Sequence, residues 1–279
     1  MEIIKVTTPG LWQRYAKLRY EVFTEEMKVP PEIEVDQWDC LDGSCDHFLI
    51  RDQGADIAAI RIQKKADQIQ IQRFCVMKAY RHQGYGQKIL EKIEKDYKKR
   101  GFYLVILDSK AQVQMFYEKC GYHCISECFI EAGIEHVRMQ KALIEVRKYE
   151  DLPEEAIALR TAIFVEEQGF QDEFDERDHD CTHLVFFDDG QAVGTCRYFI
   201  EDGHYVLGRI AVSKVYRGRH LGMYIVNRAC ALMKAGKVIL HAQLQAQPFY
   251  EKLGFTAYGQ IEYEEHCPHI WMKKSLRTR

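Results

Sequence analysis

Hydrophobic and polar positions along the first 140 residues form a succession of strand-like and helix-like patterns, and the same succession then runs a second time. Met1–Val6 alternates as a strand does, and Leu11, Tyr15, Leu18 and Val22 place a helix over Leu11–Phe23. Thr24 to Asp39 breaks both periods. It is acidic and carries Pro30 and Pro31, which cannot sit in a helix interior, so it reads as a loop. Asp46–Arg51, an Asp52-Gln-Gly turn and Asp56–Gln63 predict a hairpin. A third strand, Ile69–Val76, runs into a glycine-bearing turn, and Gln87–Arg100 is a helix stopped by Gly101. Tyr103–Asp108 is a buried-strand run, Val113–Tyr122 a short helix closed by Gly121, and two further strands finish near Met139.

Ile144–Arg147 restarts the series. A helix over Leu152–Phe164, an acidic loop over Val165–Asp180 and a hairpin over Thr182–Tyr198 follow. Lys237–Gln243 is the buried strand, Pro248–Phe255 the short helix and Tyr263–Met272 the last strand. Arg73 and Arg209, Val76 and Val212, Lys78 and Lys214, Tyr80 and Tyr216, Arg81 and Arg217, Gly86 and Gly222, and His47 and His183 all pair at an offset of 136. Tyr117 and Tyr250 pair at 133, so the helix after the second glycine turn is three residues shorter. A period this long excludes a solenoid and implies duplicated domains, 1–143 and 144–279, with almost no linker. In each copy a strand, a basic glycine turn and a helix start put free N–H groups at the positive end of a helix, beside arginines. That is a site for a phosphorylated ligand. Neither turn contains G-x-G-x-x-G, which argues against a dinucleotide-binding unit.

Composition narrows the function classes. Of 279 residues, 47% are hydrophobic and 29% charged, ordinary for a globular protein. The net charge of −3 gives no case for nucleic acid. No signal-peptide core or membrane-length apolar run is present, and the ten cysteines show no C-x-x-C pair, so a cytoplasmic protein with reduced thiols is expected. Cys120, Cys124 and Cys128 recur every four residues, but only His123 lies among them, and no metal is expected.

At this point the residues resemble a family. Arg81-His-Gln-Gly84-Tyr-Gly86 is similar to the Arg/Gln-x-x-Gly-x-Gly/Ala turn of the GNAT superfamily of acetyl-CoA-dependent N-acetyltransferases, and Phe116–Tyr122 and Phe249–Phe255 are similar to its Phe-Tyr-Glu-Lys-x-Gly-aromatic helix. Phe164-Val-Glu-Glu-Gln-Gly-Phe resembles a branch of small bacterial members. The resemblance covers nearly the whole chain. It implies an α/β fold of two tandem domains, each a mixed, mostly antiparallel sheet flanked by helices with a splayed central strand pair. It implies an enzyme moving an acetyl group from acetyl-CoA to a primary amine in a ternary complex, without a covalent enzyme intermediate. Acetyl-CoA binding falls to Phe74, Cys75, Val76 and Lys78 with Arg81, His82, Gln83, Gly84, Tyr85 and Gly86. In the second copy it falls to Ile210, Ala211, Val212 and Lys214 with Arg217, Gly218, Arg219, His220, Leu221 and Gly222. Strand N–H groups near Val76 or Val212 resemble the family's oxyanion hole, and Tyr117 and Tyr250 match its general acid. His220 departs from the pattern by replacing glycine. If the position needs positive φ the cost is about 1 kcal/mol; if backbone must press on the pyrophosphate, the side chain could obstruct it.

A lysine-like amine with pKa about 10.4 is neutral at pH 7 about once in 2,500, some ~4.6 kcal/mol uphill, so a base or water relay matters. Glu131 with Glu264, His136 with His269, and His47 with His183 occur in both copies and are the candidates, each with a purely structural alternative. The acidic loops (Glu25, Glu26, Glu32 and Glu34; Glu166, Glu167, Glu173 and Asp175) either attract a cationic amine or form a solvated face. The first copy has the more regular glycine turn. The second has the more family-like Leu240-His-Ala-Gln, where the first reads Leu107-Asp-Ser-Lys. Both copies are active, or one is a non-catalytic CoA-binding or dimer-forming scaffold, or the chain is a pure binding module that binds CoA without transferring an acyl group. The expected partners are acetyl-CoA and a small amine or peptide amine, with neither nucleic acid nor membrane, and a homodimer is an open option.

Overall fold

The alternating segments become sheet strands, and the helical ones pack their apolar stripe against them. A computed structural model describes residues 1–276, and the chain divides into two compact units, Met1–Leu143 and Ile144–Arg279. The end of the second unit, from 277 on, lies outside the described residues.

The first unit runs β1 (Glu2–Lys5), α1 (Pro9–Arg19), α2 (Pro31–Glu34), β2 (Cys45–Asp52), β3 (Ala55–Lys65), β4 (Gln68–Val76), α3 (Tyr85–Lys99), β5 (Leu104–Lys110), α4 (Gln114–Lys119), β6 (His123–Cys124), β7 (Phe129–Glu131) and β8 (Ile134–Ala142). Its sheet has the order β1-β2-β3-β4-β5-β8-β6, with β7 also on β8. The second unit runs β9 (Glu145–Tyr149), α5 (Glu154–Arg160), β10 (Thr182–Asp188), β11 (Gln191–Glu201), β12 (His204–Val212), α6 (Leu221–Leu232), β13 (Gly236–Gln243), α7 (Gln247–Lys252), β14 (Thr256–Glu264) and β15 (Cys267–Leu276), with order β9-β10-β11-β12-β13-β15-β14. In each sheet one neighbouring pair is parallel, β4 with β5 and β12 with β13; the other pairs are antiparallel. α3 turns Ile89, Leu90, Ile93 and Tyr97 onto the first sheet, where they join Ile57, Ile60 and Ile62 of β3 in one core. Each such side chain contributes about 1.5–3 kcal/mol by leaving water.

Three expectations are corrected. The first helix of each unit does not stop at Phe23 or Phe164 but continues as a π-helical turn, Tyr20–Glu26 and Thr161–Glu167. The extra residue per turn moves the glutamate at each end toward the glycine turn, and such turns concentrate at functional sites. Tyr263–Met272 is not one strand: Glu265 takes φ +50 and reverses the chain between β14 and β15. The acidic stretches are not bare loops, since α2 and a 3₁₀ turn at Glu176–Asp180 lie within them.

Within those stretches Glu25, Glu26, Glu32, Glu166, Glu167 and Asp175 are exposed, while Glu34 and Glu173 are buried against arginines. Arg19 donates to Glu34 and Asp39, and Arg61 donates to Asp36 through both Nη atoms at 2.7 Å. In the second unit Arg160 donates to Glu173 (2.6 Å) and Asp178 (2.6 Å), and Arg197 to Asp175 and Asp178. Arg61 and Arg160 are among the largest fully buried side chains. Charges this deep persist only when paired, and breaking one such pair costs about 3–5 kcal/mol. Arg160→Ala leaves Glu173 buried opposite a cavity. It is expected to destabilise the second unit by about 3–5 kcal/mol, read as an earlier transition in urea denaturation of the full chain.

The same network fixes the acid limit. Burial works to raise the Asp39 and Asp178 carboxyls, but hydrogen bonds and charge from Arg19, and from Arg160 and Arg197, outweigh it and bring both down to about 2. Groups whose folded pKa is depressed stabilise fully above their unfolded pKa, near 3.9, and cease to as pH falls through the folded value. Urea midpoints measured against pH should therefore fall from about pH 4 toward pH 2 through these two groups.

Candidate active sites

In each sheet the parallel pair comes apart. β4 and β5 pair from Gln68–Leu104 to Ile71–Leu107, yet β4 continues to Val76 and β5 to Lys110. β12 and β13 pair only at Tyr205–Val238 and Val206–Ile239. The separation follows a bulge. Arg73 and Arg209 take φ +48 and +51, inserting one residue opposite β3 and β11 and bending the strand away from its parallel neighbour. Met77 N–H donates to Ile57 C=O on β3, and Ser213 N–H to Val193 C=O on β11. Strand alternation therefore turns the Val76 and Val212 N–H groups to the opposite edge, into the gap. Phe74, Cys75 and Val76 end β4, and Ile210, Ala211 and Val212 end β12. Cys75 is sealed in the core and burial pushes its thiol up to about 12, so it offers backbone only.

After Lys78 and Lys214, each the first residue of a 3₁₀ turn, the chain makes the glycine turn. Gly84 precedes α3 with φ +77, and His220 precedes α6 with φ +57. A second left-handed residue stands two positions earlier, His82 at φ +60 and Gly218 at φ +71. Each turn thus holds one glycine and one histidine in left-handed geometry, in opposite order, and the second is no more strained than the first. A Cβ built on Gly84 meets nothing within 4 Å, so a side chain there fits the protein. Gly86 is needed for another reason: a Cβ on it would stand 2.9 Å from the Phe116 ring. The guanidinium of Arg81 is already engaged, by Val76 C=O (2.7 Å) and by both Glu26 oxygens (2.6 and 2.8 Å). Arg217 holds Val212 C=O and Glu167 in the same way. What the turns present to a phosphate is therefore their backbone N–H groups. The remaining turn side chains serve the scaffold: Gln83 donates to Ala79 C=O, Tyr85 to Asp52, Arg219 lies over Tyr216, and Leu221 is buried. Gly222 faces Phe249 with more room, since a Cβ there would stand 3.4 Å from the ring.

Tyr117 and Tyr250, on α4 and α7, are each 9% exposed, and burial raises both hydroxyls well above their ordinary value, keeping them protonated. Tyr117 shares the apolar cluster of Phe74, Val76 and Phe116 beside the gap. The base candidates separate. His47 and His183 are buried, held neutral by that burial, and donate to Cys40 and Asp178 carbonyls, which ties them to the acidic stretch. His136 and His269 use Nδ1 alike, on Ile134 and Cys267 carbonyls. Glu131 is exposed. Glu264 instead accepts a 2.6 Å bond from His241 Nδ1 and lies 3.7 Å from His269 Nε2. The His241 hydrogen bond is the main cause that lowers its carboxyl. His241 is absent from the sequence candidates because no histidine pairs with it in the first copy; Asp108 stands there.

Comparison with known proteins gives the family. The model of the Acetyltransferase (GNAT) domain matches residues 14–143 and again 149–276. The chain belongs to this family: it is an acetyltransferase with two GNAT domains, and its acyl donor is a coenzyme A thioester. A Bacillus subtilis (strain 168) protein described as a candidate acetyltransferase is 33% identical over 141 residues, covering 50% of this chain and 96% of its own. The uncharacterized N-acetyltransferase YjcF of the same organism is 35% identical over 125 residues, covering 44% and 87%. A solved acyl-CoA N-acyltransferase from Pseudomonas aeruginosa is 30% identical and covers 48% of this chain and 99% of its own, with a TM-score of 0.44. Among the described residues no helix is long and apolar enough to cross a membrane.

The residues that could hold the phosphates and amide arm of coenzyme A are those of the paired left-handed turns and the strand edges at Val76 and Val212, with open space at Gly84 in the first unit. Calorimetry on the full chain is expected to give two coenzyme A molecules bound per chain, and His220→Gly is expected to leave that number unchanged.

Proposed function

We propose that the protein transfers an acetyl group from acetyl-CoA to a primary amine by direct attack in a ternary complex. The observation that carries this reading is the parting of the parallel pair in both units, with the buried Tyr117 in the apolar cluster beside the first and the buried Tyr250 at the matching place on α7. Acetyl-CoA supplies the activated acyl carbon; the chain supplies position and proton control. The turn N–H groups and the strand edge hold the donor so that its carbonyl oxygen meets the Val76 or Val212 N–H. A preorganised donor there stabilises negative charge developing on that oxygen. Tyr117 or Tyr250 holds a proton for the departing sulfur. Bringing amine and thioester together in one gap removes much of the entropic cost of their encounter.

The second reading, in which one unit is a scaffold, is favoured by the Asp108–Arg138 ion pair (2.7 and 3.1 Å), which fills in the first unit the place of His241 in the second. The ten cysteines are free, which supports a reducing, cytoplasmic setting.

Thiol release from acetyl-CoA in the presence of a primary-amine panel tests the function. Tyr117→Phe and Tyr250→Phe, singly and together, apportion it between the units. Loss of a positioned acid lowers kcat by about 10²–10⁴ at that unit with little change in KM. A double variant with undiminished turnover would remove the tyrosines from the mechanism. A wild-type chain that binds coenzyme A but releases no thiol would overturn the amine-transferase reading.

A further inference from the structure

His241 lies on β13 two residues past Ile239, the last residue paired with β12, and so stands on the parted stretch. Along β13, Val238, Leu240 and Ala242 are buried while His241 and Gln243 take the other face. That face is roofed by the segment after the π-helical turn. Gln243 donates to the Gln168 side chain, His266 to Gln168 C=O, and Glu265 accepts from Gln171 and Asp172 N–H. Within this space β14 directs Glu264 and Glu262 at His241, at 2.6 and 3.7 Å. β15 contributes His269, ring centroids 5.0 Å apart, and Trp271, stacked at 4.4 Å and 13°. Arg209 of β12 acts on Glu264 through its charge.

Glu264 fixes the tautomer. With Nδ1–H donating to the carboxylate, the lone pair of a neutral imidazole is on Nε2. His241 Nε2 is buried and makes no hydrogen bond. Trp271 locks the ring plane. This is a carboxylate-oriented imidazole whose Nε2 makes no hydrogen bond and has the Glu262 carboxylate 3.7 Å away, on the parted stretch where the acyl carbon is to be held.

The first unit keeps Glu131 and His136 at the places of Glu264 and His269 but lacks the rest. At the matching positions Asp108 replaces His241, Arg138 replaces Trp271 and Phe129 replaces Glu262. Both Asp108 oxygens accept from Arg138, and His136 stacks on Phe129. Lys110, in the place of Gln243, adds a half-buried cation on the same face.

Resting on the transferase reading above, we propose that the second unit, and not the first, deprotonates a strongly basic acceptor amine, with His241 Nε2 as the proton acceptor and Glu264 as its positioning residue. The acceptor class is an alkylammonium. Glu262 and Glu264 complement its charge, whereas Arg138 and Lys110 oppose it in the first unit. The protons balance. The ammonium gives one proton to His241 Nε2, and the freed lone pair forms the N–C bond as the C–S bond breaks. The nitrogen loses a second proton, and the sulfur gains one through the Tyr250 hydroxyl. One proton is released overall.

The test uses the full chain carrying Tyr117→Phe, so that turnover reports the second unit. Two probe acceptors are compared at pH 7: ethylamine, which is protonated, and 2,2,2-trifluoroethylamine, whose fluorines leave it largely neutral. His241→Gln is expected to slow ethylamine acetylation by about 100-fold and trifluoroethylamine acetylation by less than threefold, with Glu264→Gln following the same pattern. Equal losses on the two amines, or no loss on ethylamine, would overturn the assignment. A readout independent of turnover is the ¹⁵N spectrum of the histidine rings. Neutral His241 should carry its proton on Nδ1, and Glu264→Gln should erase that preference; a proton on Nε2 in the parent chain would overturn the proposal. If the parent chain releases no thiol with either amine, the transferase reading fails on turnover, while the tautomer still decides whether the His241–Glu264 pair exists as described.

Discussion

The sites depend on a strand that is bent by one extra residue and held there by buried charge. Arg73 and Arg209 occupy left-handed backbone, which a non-glycine residue adopts at a cost of about 1–2 kcal/mol. Their side chains meet that cost locally. Arg73 donates to Glu34 C=O, Ile33 C=O and Asp36, and Arg209 to Glu173 C=O and Asp175. The carboxylates are in turn fixed by Arg61 and Arg197, buried on the neighbouring strand. The bulge opens the parallel pair, and the acidic stretch that locks the bulge also closes one side of the opening. Fold and site are one electrostatic assembly.

A second ion pair extends it. Glu26 and Glu167, at the ends of the π-helical turns, clamp Arg81 and Arg217 against the carbonyls of Val76 and Val212. The helix end, the strand end and the glycine turn are thereby joined at one point in each unit. That explains why the arginine of the turn is spaced five residues from the valine in both copies: its reach to the valine carbonyl fixes the turn, independently of any ligand.

The two copies have kept this scaffold and changed the floor of the opening. The left-handed histidine moved from one position of the turn to the other without altering the backbone, since His82 with Gly84 and Gly218 with His220 describe the same curve. The residues on β5 and β13 changed in kind, from an aspartate locked to an arginine to a histidine held by a glutamate. The two sides of the gap are built from different elements, the glycine turn and strand edge on one side and β13 to β15 on the other, so duplication leaves one copy free to alter one side while the other stays intact.

By itself the sequence determined the duplication, the order of elements and the family, because apolar periodicity and two spaced motifs are local properties that survive without coordinates. Even the three-residue difference between the helices after the turns was legible, and α3 and α6 differ by that much. The roles of charged residues were not. Glu34 and Glu173 read equally as solvated or as amine-attracting, and only tertiary structure buries them against arginines from other elements. The Glu264 carboxylate was found by its repeat in Glu131, but its partner His241 has no repeat and lies 23 positions away in sequence. Pairing β13 and β14 with β15 brings them to 2.6 Å. A periodicity can announce a strand; which side chains meet across a sheet is set by register, and register is a property of the folded chain.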